Sequence, residues 1–394
     1  MQITGPLSGI RVVEISTMIT APLAGMMLAD MGADVVKVEN PAGGDPFRSF
    51  RGGQYSPHFC AYNRNKRSVA LDLRSEAGRE DLLALLWGAD VLLDNFRPGV
   101  LERLGLDDAI IREANPRLVH CSITGFGPTG PYKDRPAYDA VAQALSGMSS
   151  LLVDAAEPRL AGPTIADNVT GQFAAFGIAS ALMERERTGT ARRIEINMLD
   201  AALAFIPDPY GYYSQMGLVS DPYLRARTSQ SYVFSCADRR LLAVHLSSQE
   251  KFWKEFLSIV ARTELAEDER FATRMDRIEN YDALHVELSS TFAARTLEAW
   301  LAGFGGRDVP FAPVYDVTEV GSDPQVQHLQ SFFELEHPEM GRLSAIRRPI
   351  WLDGQREDQP RRAPPTLGEH TEEVLSEVIS EKALRSPRRS AGAS

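Results

Sequence analysis

Asp167 stands in the segment GPTIADNVTGQFAAFGIASALMERERTG, residues 162–189, at the mouth of a helix over 167–187 whose residues are nearly all apolar or small. Position alone describes a helix cap, a role in which Asp is among the best residues and worth ~1 kcal/mol. The same position also suits chemistry, because a helix N-terminus keeps a carboxylate ionised and available as a nucleophile. Other constellations carry less. Gly125, Gly127 and Gly130 spell GxGxxG (GFGPTG) after a strand, but prolines and a polar stretch over 131–136 follow instead of a helix start, so the loop reads as a turn. The opening strand–helix–strand ends in Lys37-Val38-Glu39, an acid placed to hold a ribose, yet its first turn, STMITAPLAG, lacks the glycines a pyrophosphate needs. There is no GxSxG elbow, and the seven histidines are scattered singly with no metal-binding spacing, so no metal site is expected.

The 394 residues carry a formal net charge of −11, which argues against nucleic acid as a partner and leaves any anionic ligand to local Arg, Lys or backbone donors. Three cysteines (Cys60, Cys121, Cys236) lie far apart without a CxxC pair, pointing to a reducing compartment rather than a disulfide scaffold. The N-terminus lacks the basic start and apolar run of a signal peptide, and no stretch reaches the ~18 apolar residues of a membrane span. A cytoplasmic protein without a membrane partner is expected.

The elements that must position Asp167 can be read from periodicity. Strands are expected over 9–15, 33–39, 67–73, 89–94 and 118–124, with helices over 21–31 and 76–87, the latter capped by Ser75 and stopped by Gly88. Strand–helix–strand units of this length imply parallel pairing and an open, doubly wound α/β sheet. Helices follow over 138–152, 167–187 (with Gly171 and Gly177 as close-packing points) and 199–216, the last interrupted at Pro207–Pro209, and a strand over 193–198. Residues 223–311 read as a smaller α+β domain, with short strands over 231–235 and 241–245 and an extended linker over 307–314. The expected division is a large domain from 1–222, the small domain 223–311, a return to the large domain over 312–384 and a disordered basic tail, 385–394. Strands near 333–336 and 343–351 and a last helix from 369 belong to the return.

Several ordered segments, LSGIRVVEIS, GADVVKVENPAGGDPFR, NRNKRSVALDLRSEAG, DNFRPGVLERLG, PAYDAVAQALSG, VPFAPVYDVTEVGSDPQ and RRAPPTLGEHTEEVL, together with Asp167 and its helix, run through essentially the whole chain. On these residues the chain resembles the family III CoA-transferases (the CaiB/BaiF family), of the formyl-CoA transferase type. The resemblance implies a Rossmann-like open parallel sheet in a large domain built from both chain ends, a smaller α+β domain, and two subunits interlocked like chain links. It implies that Asp167 attacks an acyl-CoA thioester, passes through an acyl–aspartyl anhydride and an aspartyl-CoA thioester, and delivers CoA to a second carboxylic acid. Coenzyme A then enters as substrate, with no permanently bound cofactor. Positions matching the family's CoA contacts are Ile19, Thr20, Leu71, Arg74, Asn95, Phe96, Arg103 and Tyr138. Among them Arg74 and Arg103 suit phosphates, and Phe96 suits stacking or the pantetheine slot.

Three departures qualify that resemblance. Asn40 stands where some relatives place an Arg, and Pro136 where formyl-CoA transferase places a Lys, so neighbours such as Lys37 or Arg135 are expected to supply a contact. The glycine-run loop of formyl-CoA transferase has no counterpart in YLRARTSQSYVFSCADRR (223–240), which implies a more generic relative whose acceptor need not be oxalate. The α-methylacyl-CoA racemases share the fold and the aspartate but carry a His at the position of Tyr138. A phenol with pKa near 10 is a poor acid/base partner at neutral pH, so transfer is favoured over epimerisation of an acyl-CoA.

Overall fold

The computed structural model describes residues 5–247, 249–356 and 361–385; the tail expected to be disordered lies outside them except for Arg385. The chain divides into two compact units. The larger takes residues up to Ser149, Leu160–Pro207 and Ser331 onward; the smaller takes Ser150–Arg159 and Asp208–Gln330.

In the larger unit the order is β1 (Arg11–Ile15), α1 (Thr20–Asp30), β2 (Asp34–Glu39), α2 (Pro57–Tyr62), β3 (Lys66–Ala70), α3 (Glu76–Trp87), β4 (Val91–Asp94), α4 (Val100–Arg103), α5 (Asp108–Ala114), β5 (Val119–Thr124), α6 (Asp139–Leu145), α7 (Ile165–Thr188), β6 (Arg193–Asn197) and α8 (Met198–Phe205). The six strands form one sheet in the order β3-β2-β1-β4-β5-β6, every pair parallel. The order reverses between β1 and β4, and the carboxyl ends of those strands open the crevice that doubly wound sheets use for ligands. Consecutive residues serve opposite faces. Val12, Val35, Val91 and Leu93 pack with α1 and α7, whereas Val13, Val36 and Leu92 pack with α3 and, from the far end of the chain, Val374 and Val378 of the last helix. Strands buried on both faces explain the near-continuous apolar runs of the sequence.

α7 opens at Ile165, two residues before the expected start, so Asp167 is its third residue and not its cap. The expected helix over 138–152 ends at Leu145, and a 3₁₀ turn over Met148–Leu151 follows Gly147 in left-handed backbone. The 199–216 helix is two, parted before Pro207, whose ring cannot continue α8. Gly171 is a close-packing point, since a Cβ there would lie 2.6 Å from the Thr20 carbonyl oxygen of α1; at Gly177 a Cβ would meet only an ordinary contact of 3.5 Å. GFGPTG is a turn, with Gly127 and Gly130 in left-handed backbone.

The smaller unit contains α9 (Pro207–Met216, from its second residue on), α10 (Leu224–Ser229), β7 (Ser231–Ser235), β8 (Leu241–His245), α11 (Glu250–Val260), α12 (Arg274–Glu279), α13 (Tyr281–Phe292), α14 (Leu297–Phe304), β9 (Phe311–Pro313) and α15 (Pro324–His328). The antiparallel sheet β7-β8-β9 packs Tyr232, Phe234, Leu242 and Val244 against Trp253, Phe256, Phe292 and Trp300. The stretch expected as a linker over 307–314 thus contains the third strand, and the unit runs beyond the 223–311 expected. The larger unit then resumes with the hairpin β10 (Phe332–His337) and β11 (Gly341–Ile346) and with α16 (Thr371–Arg385). Arg67 of β3 reaches Asp34 and also Glu373 and Glu377 of α16, tying the late segment to the sheet. Among the described residues no helix is long and apolar enough to cross a membrane.

Candidate active site

Asp167 sits where the first turn of α7 leaves backbone N–H groups without helical partners. The cap residue, Thr164, gives no side-chain cap bond. Instead Asp139, at the start of α6, accepts the Asp167 N–H through Oδ1 at 3.2 Å, and its Oδ2 accepts Gln143 Nε2 at 2.6 Å. Gln143 also donates to the Pro163 carbonyl at 3.3 Å, and Asn168 Nδ2 donates to the Thr164 carbonyl at 2.7 Å. The turn before α7 is therefore held from α6 and from its own first turn. The carboxyl of Asp167 is half-buried, and burial, with the charge of Asp139 adding to it, pushes its pKa up to about 7. The helix N-terminus does not keep it in the ordinary acid range: desolvation and a neighbouring like charge win over the dipole.

The first residue of α1 meets α7 one turn beyond this aspartate, where Gly171 lets the Thr20 carbonyl come close. Asn95, just past β4, accepts the Thr17 N–H at 3.0 Å and donates to the Thr17 carbonyl at 2.7 Å and to Thr20 Oγ1 at 3.1 Å. It is a clasp between the strands at the switch point, made by a residue expected to touch ligand. Next to it, Phe96 donates its N–H to Asp94 Oδ1 at 3.1 Å, and Asp94 is itself held by His120 (2.8 Å) and Ser122 (3.2 Å).

Two cavities open at the carboxyl ends of the strands. The first, about 270 Å³, is bordered by Ser16, Thr17, Asn40, Leu71, Arg74 and Phe96. The second, about 400 Å³, is bordered by Phe96, Arg97, Arg103, Lys133 and Arg193. Phe96 faces both. The structure thus gathers Leu71, Arg74 and Phe96 around one space and Phe96 and Arg103 around the other. Ile19 packs in a cluster with Phe47, Tyr55 and Phe59, Thr20 is also buried, and neither lines either of these two cavities. Tyr138 precedes α6 and is 62% exposed, one residue from Asp139. Lys37 cannot supply a missing phosphate contact, because it is fully buried against Glu14 and Asp45. Arg135 lies exposed, its guanidinium 3.8 Å from the Tyr132 ring centre. Sequence reasoning missed Asp139, Gln143, Arg97 and Lys133; the acid directly after Tyr138 at a helix start was the available signal for the first.

An α/β protein with a doubly wound sheet, cavities at its switch point lined by acidic and basic side chains together, and a carboxyl of shifted pKa at a helix start is the class these features define. The family model of CoA-transferase family III matches residues 7–371. The chain is 35% identical to a succinate–glutarate CoA-transferase of Agrobacterium fabrum, over 97% of this chain and 98% of that one. It is 30% identical to a formyl-CoA:oxalate CoA-transferase of Rhodopseudomonas palustris, over 95% and 94%. A solved CaiB/BaiF family protein from Brucella suis superposes with a TM-score of 0.81 at 32% identity, covering 95% of this chain and all of that one (100%). The chain belongs to the family III CoA-transferases.

Proposed function

We propose that this protein transfers CoA from an acyl-CoA donor to a free carboxylic acid, with Asp167 as the covalent carrier. The observation that carries the reading is the Asp167 carboxyl itself: half-buried, at a helix start, and with a pKa of about 7. At neutral pH an appreciable fraction is ionised, and a carboxylate of raised pKa is a better nucleophile than an ordinary one. The carboxylate attacks the thioester carbonyl and expels the CoA thiolate, leaving an acyl–aspartyl anhydride. The thiolate attacks the aspartyl carbonyl and releases the donor acid. The acceptor carboxylate attacks the resulting aspartyl-CoA thioester, and the thiolate then takes the acceptor acyl group and frees Asp167. Arg74, Arg97, Arg103 and Lys133 border the two cavities and supply the positive charge a CoA phosphate calls for. Coenzyme A is the substrate, and Tyr138, exposed and next to Asp139, is available to the ester from the start of α6.

A second chain is part of this reading. Phe173, Phe176 and Met183 lie on one helix, α7, and the last two are 71% and 64% exposed. Such an apolar face on the helix that carries Asp167 suits coverage by a partner subunit, as the interlocked homodimer requires.

Incubation with an acyl-CoA followed by hydroxylamine is expected to modify Asp167 and no other carboxyl, detected by peptide mass spectrometry. Asp167→Asn should fold normally and lose transfer by at least about a thousandfold, because an amide forms no anhydride. Wild-type transfer by that variant would sink the mechanism.

A further inference from the structure

Six charged side chains lie beneath the β1–α1 turn, three acidic (Glu14, Glu39, Asp45) and three basic (Lys37, Arg48, Lys66), each at most 4% exposed. Charges so buried persist only when paired and hydrogen-bonded. Here they are: Lys37 Nζ lies 3.0 Å from Glu14 Oε1 and 3.1 Å from Asp45 Oδ2, Lys66 Nζ lies 2.9 Å from Glu14 Oε2, and Arg48 grips Glu39 at 2.7 and 2.8 Å. Arg48 spends its spare donor on the Pro365 carbonyl and Lys66 one of its own on Asn63, but three further bonds reach the β1–α1 turn and the first turn of α1. Lys37 donates to the Ser16 carbonyl at 2.9 Å, Lys66 to the Pro22 carbonyl at 2.8 Å, and Asp45 accepts the Met18 N–H at 3.2 Å on both oxygens. Met18 has φ of +68°, left-handed backbone that a residue with a Cβ adopts at a cost of roughly tenfold in population. That turn leads into Thr20, whose carbonyl abuts the helix of Asp167, and Ser16 and Thr17 border the first cavity.

We propose that Asp45 is a positioning residue for the CoA-ester site: anchored by Lys37, it holds Met18 in left-handed backbone and so shapes the turn that walls the first cavity. Asp45 is itself in the wall of the first cavity but only 1% exposed, and its hold on the turn is through the Met18 N–H. The proposal rests on the CoA-ester reading above for the ligand it names, but the tether itself is independent of that reading.

The test is a cycle on Asp45 and Met18, read by binding of a non-hydrolysable CoA thioether and by amide hydrogen exchange. Asp45→Ala is expected to weaken binding about tenfold and raise KM, with kcat at saturation within about threefold of wild type, and to speed exchange at Met18. In Asp45→Ala/Met18→Gly, position 18 adopts the left-handed backbone freely, so binding recovers at least about threefold over Asp45→Ala. A merely structural role would lower melting temperature and show no such rescue; wild-type affinity in Asp45→Ala, or no rescue in the double variant, overturns the proposal. If Asp45→Ala fails to fold, Met18→Val, which disturbs no buried charge, decides instead: weakened binding supports the proposal and wild-type binding refutes it. If the wild type binds no CoA ester, the functional reading fails, and Met18 amide exchange in Asp45→Ala alone still decides whether the tether exists.

Discussion

At Asp167 the helix N-terminus favours the carboxylate, while burial and Asp139 favour the acid, and the second pair prevails. A nucleophile must be ionised, so kcat/KM should rise with pH and level off above about 7. Asp139→Asn removes the like charge and keeps a hydrogen-bond acceptor, and the acid limb of the profile should move to lower pH; a limb that stays in place would show that burial alone sets it. The same shift has a consequence for stability. Unfolded, the group ionises near its ordinary 3.8; folded, near 7. Between those values the native state holds a proton the unfolded chain has lost, so stability falls as pH rises through the window, and the deficit is complete above it. Asp167→Asn abolishes that fall. Its melting temperature should match wild type near pH 4 and exceed it at pH 8 by roughly two degrees or more. Equal melting curves at pH 8 would contradict the raised value.

Among the elements, α1 and α7 meet at a point where only a glycine fits. Gly171→Ala gains helix propensity of about 1 kcal/mol but drives a methyl to within 2.6 Å of the Thr20 carbonyl, which is backbone and cannot swing aside. A net loss of about 1–2 kcal/mol in urea denaturation is expected, with a raised KM because the displaced turn borders the cavity. The sheet was legible in the sequence because β1 to β5 are buried on both faces and announce themselves as runs such as RVVEI, DVVKVE and VLLD, while the more open β6 shows as the alternation RIEIN. Gly171 was legible too, as a glycine in an apolar helix. What escaped reading was tertiary. Nothing local to ADVVKVE tells that Lys37 turns inward to Glu14 and Asp45, and a solvent-facing lysine was the natural assumption. Nor does Asp167 reveal its position: the Thr164 start places it third in α7 because Asp139, from another helix, takes over the capping duty. Asn95 was recognised as part of the site by resemblance, but its work as a clasp on Thr17 and Thr20 is visible only in three dimensions.

For the whole molecule, the proposed interlocked dimer makes a kinetic claim. Linked rings cannot part by sliding, so subunit exchange requires unfolding. Two differently tagged preparations mixed under native conditions should give no hybrid over a day, measured by sequential affinity capture; hybrids within minutes would exclude the interlock. The exposed apolar face of α7 should also become protected from solvent labelling in the assembled protein, which Phe176 and Met183 report by oxidative footprinting.

The ion pairs between Arg67 of β3 and Glu373 and Glu377 of α16 join residues more than 300 apart in the chain, 306 for the first pair. On a ribosome adding about 5–20 residues per second, β3 emerges roughly 15–60 s before the helix that closes over it. Through that interval Val36, Val69 and Leu82 face a layer still missing Val374 and Val378. The smaller unit, by contrast, is synthesised in the meantime and needs only Ser150–Arg159 from earlier in the chain. The order of birth is thus opposite to the order of completion: the first strands made belong to the last unit finished, and a nascent chain halted before residue 371 should be captured by chaperones that bind exposed apolar sheet.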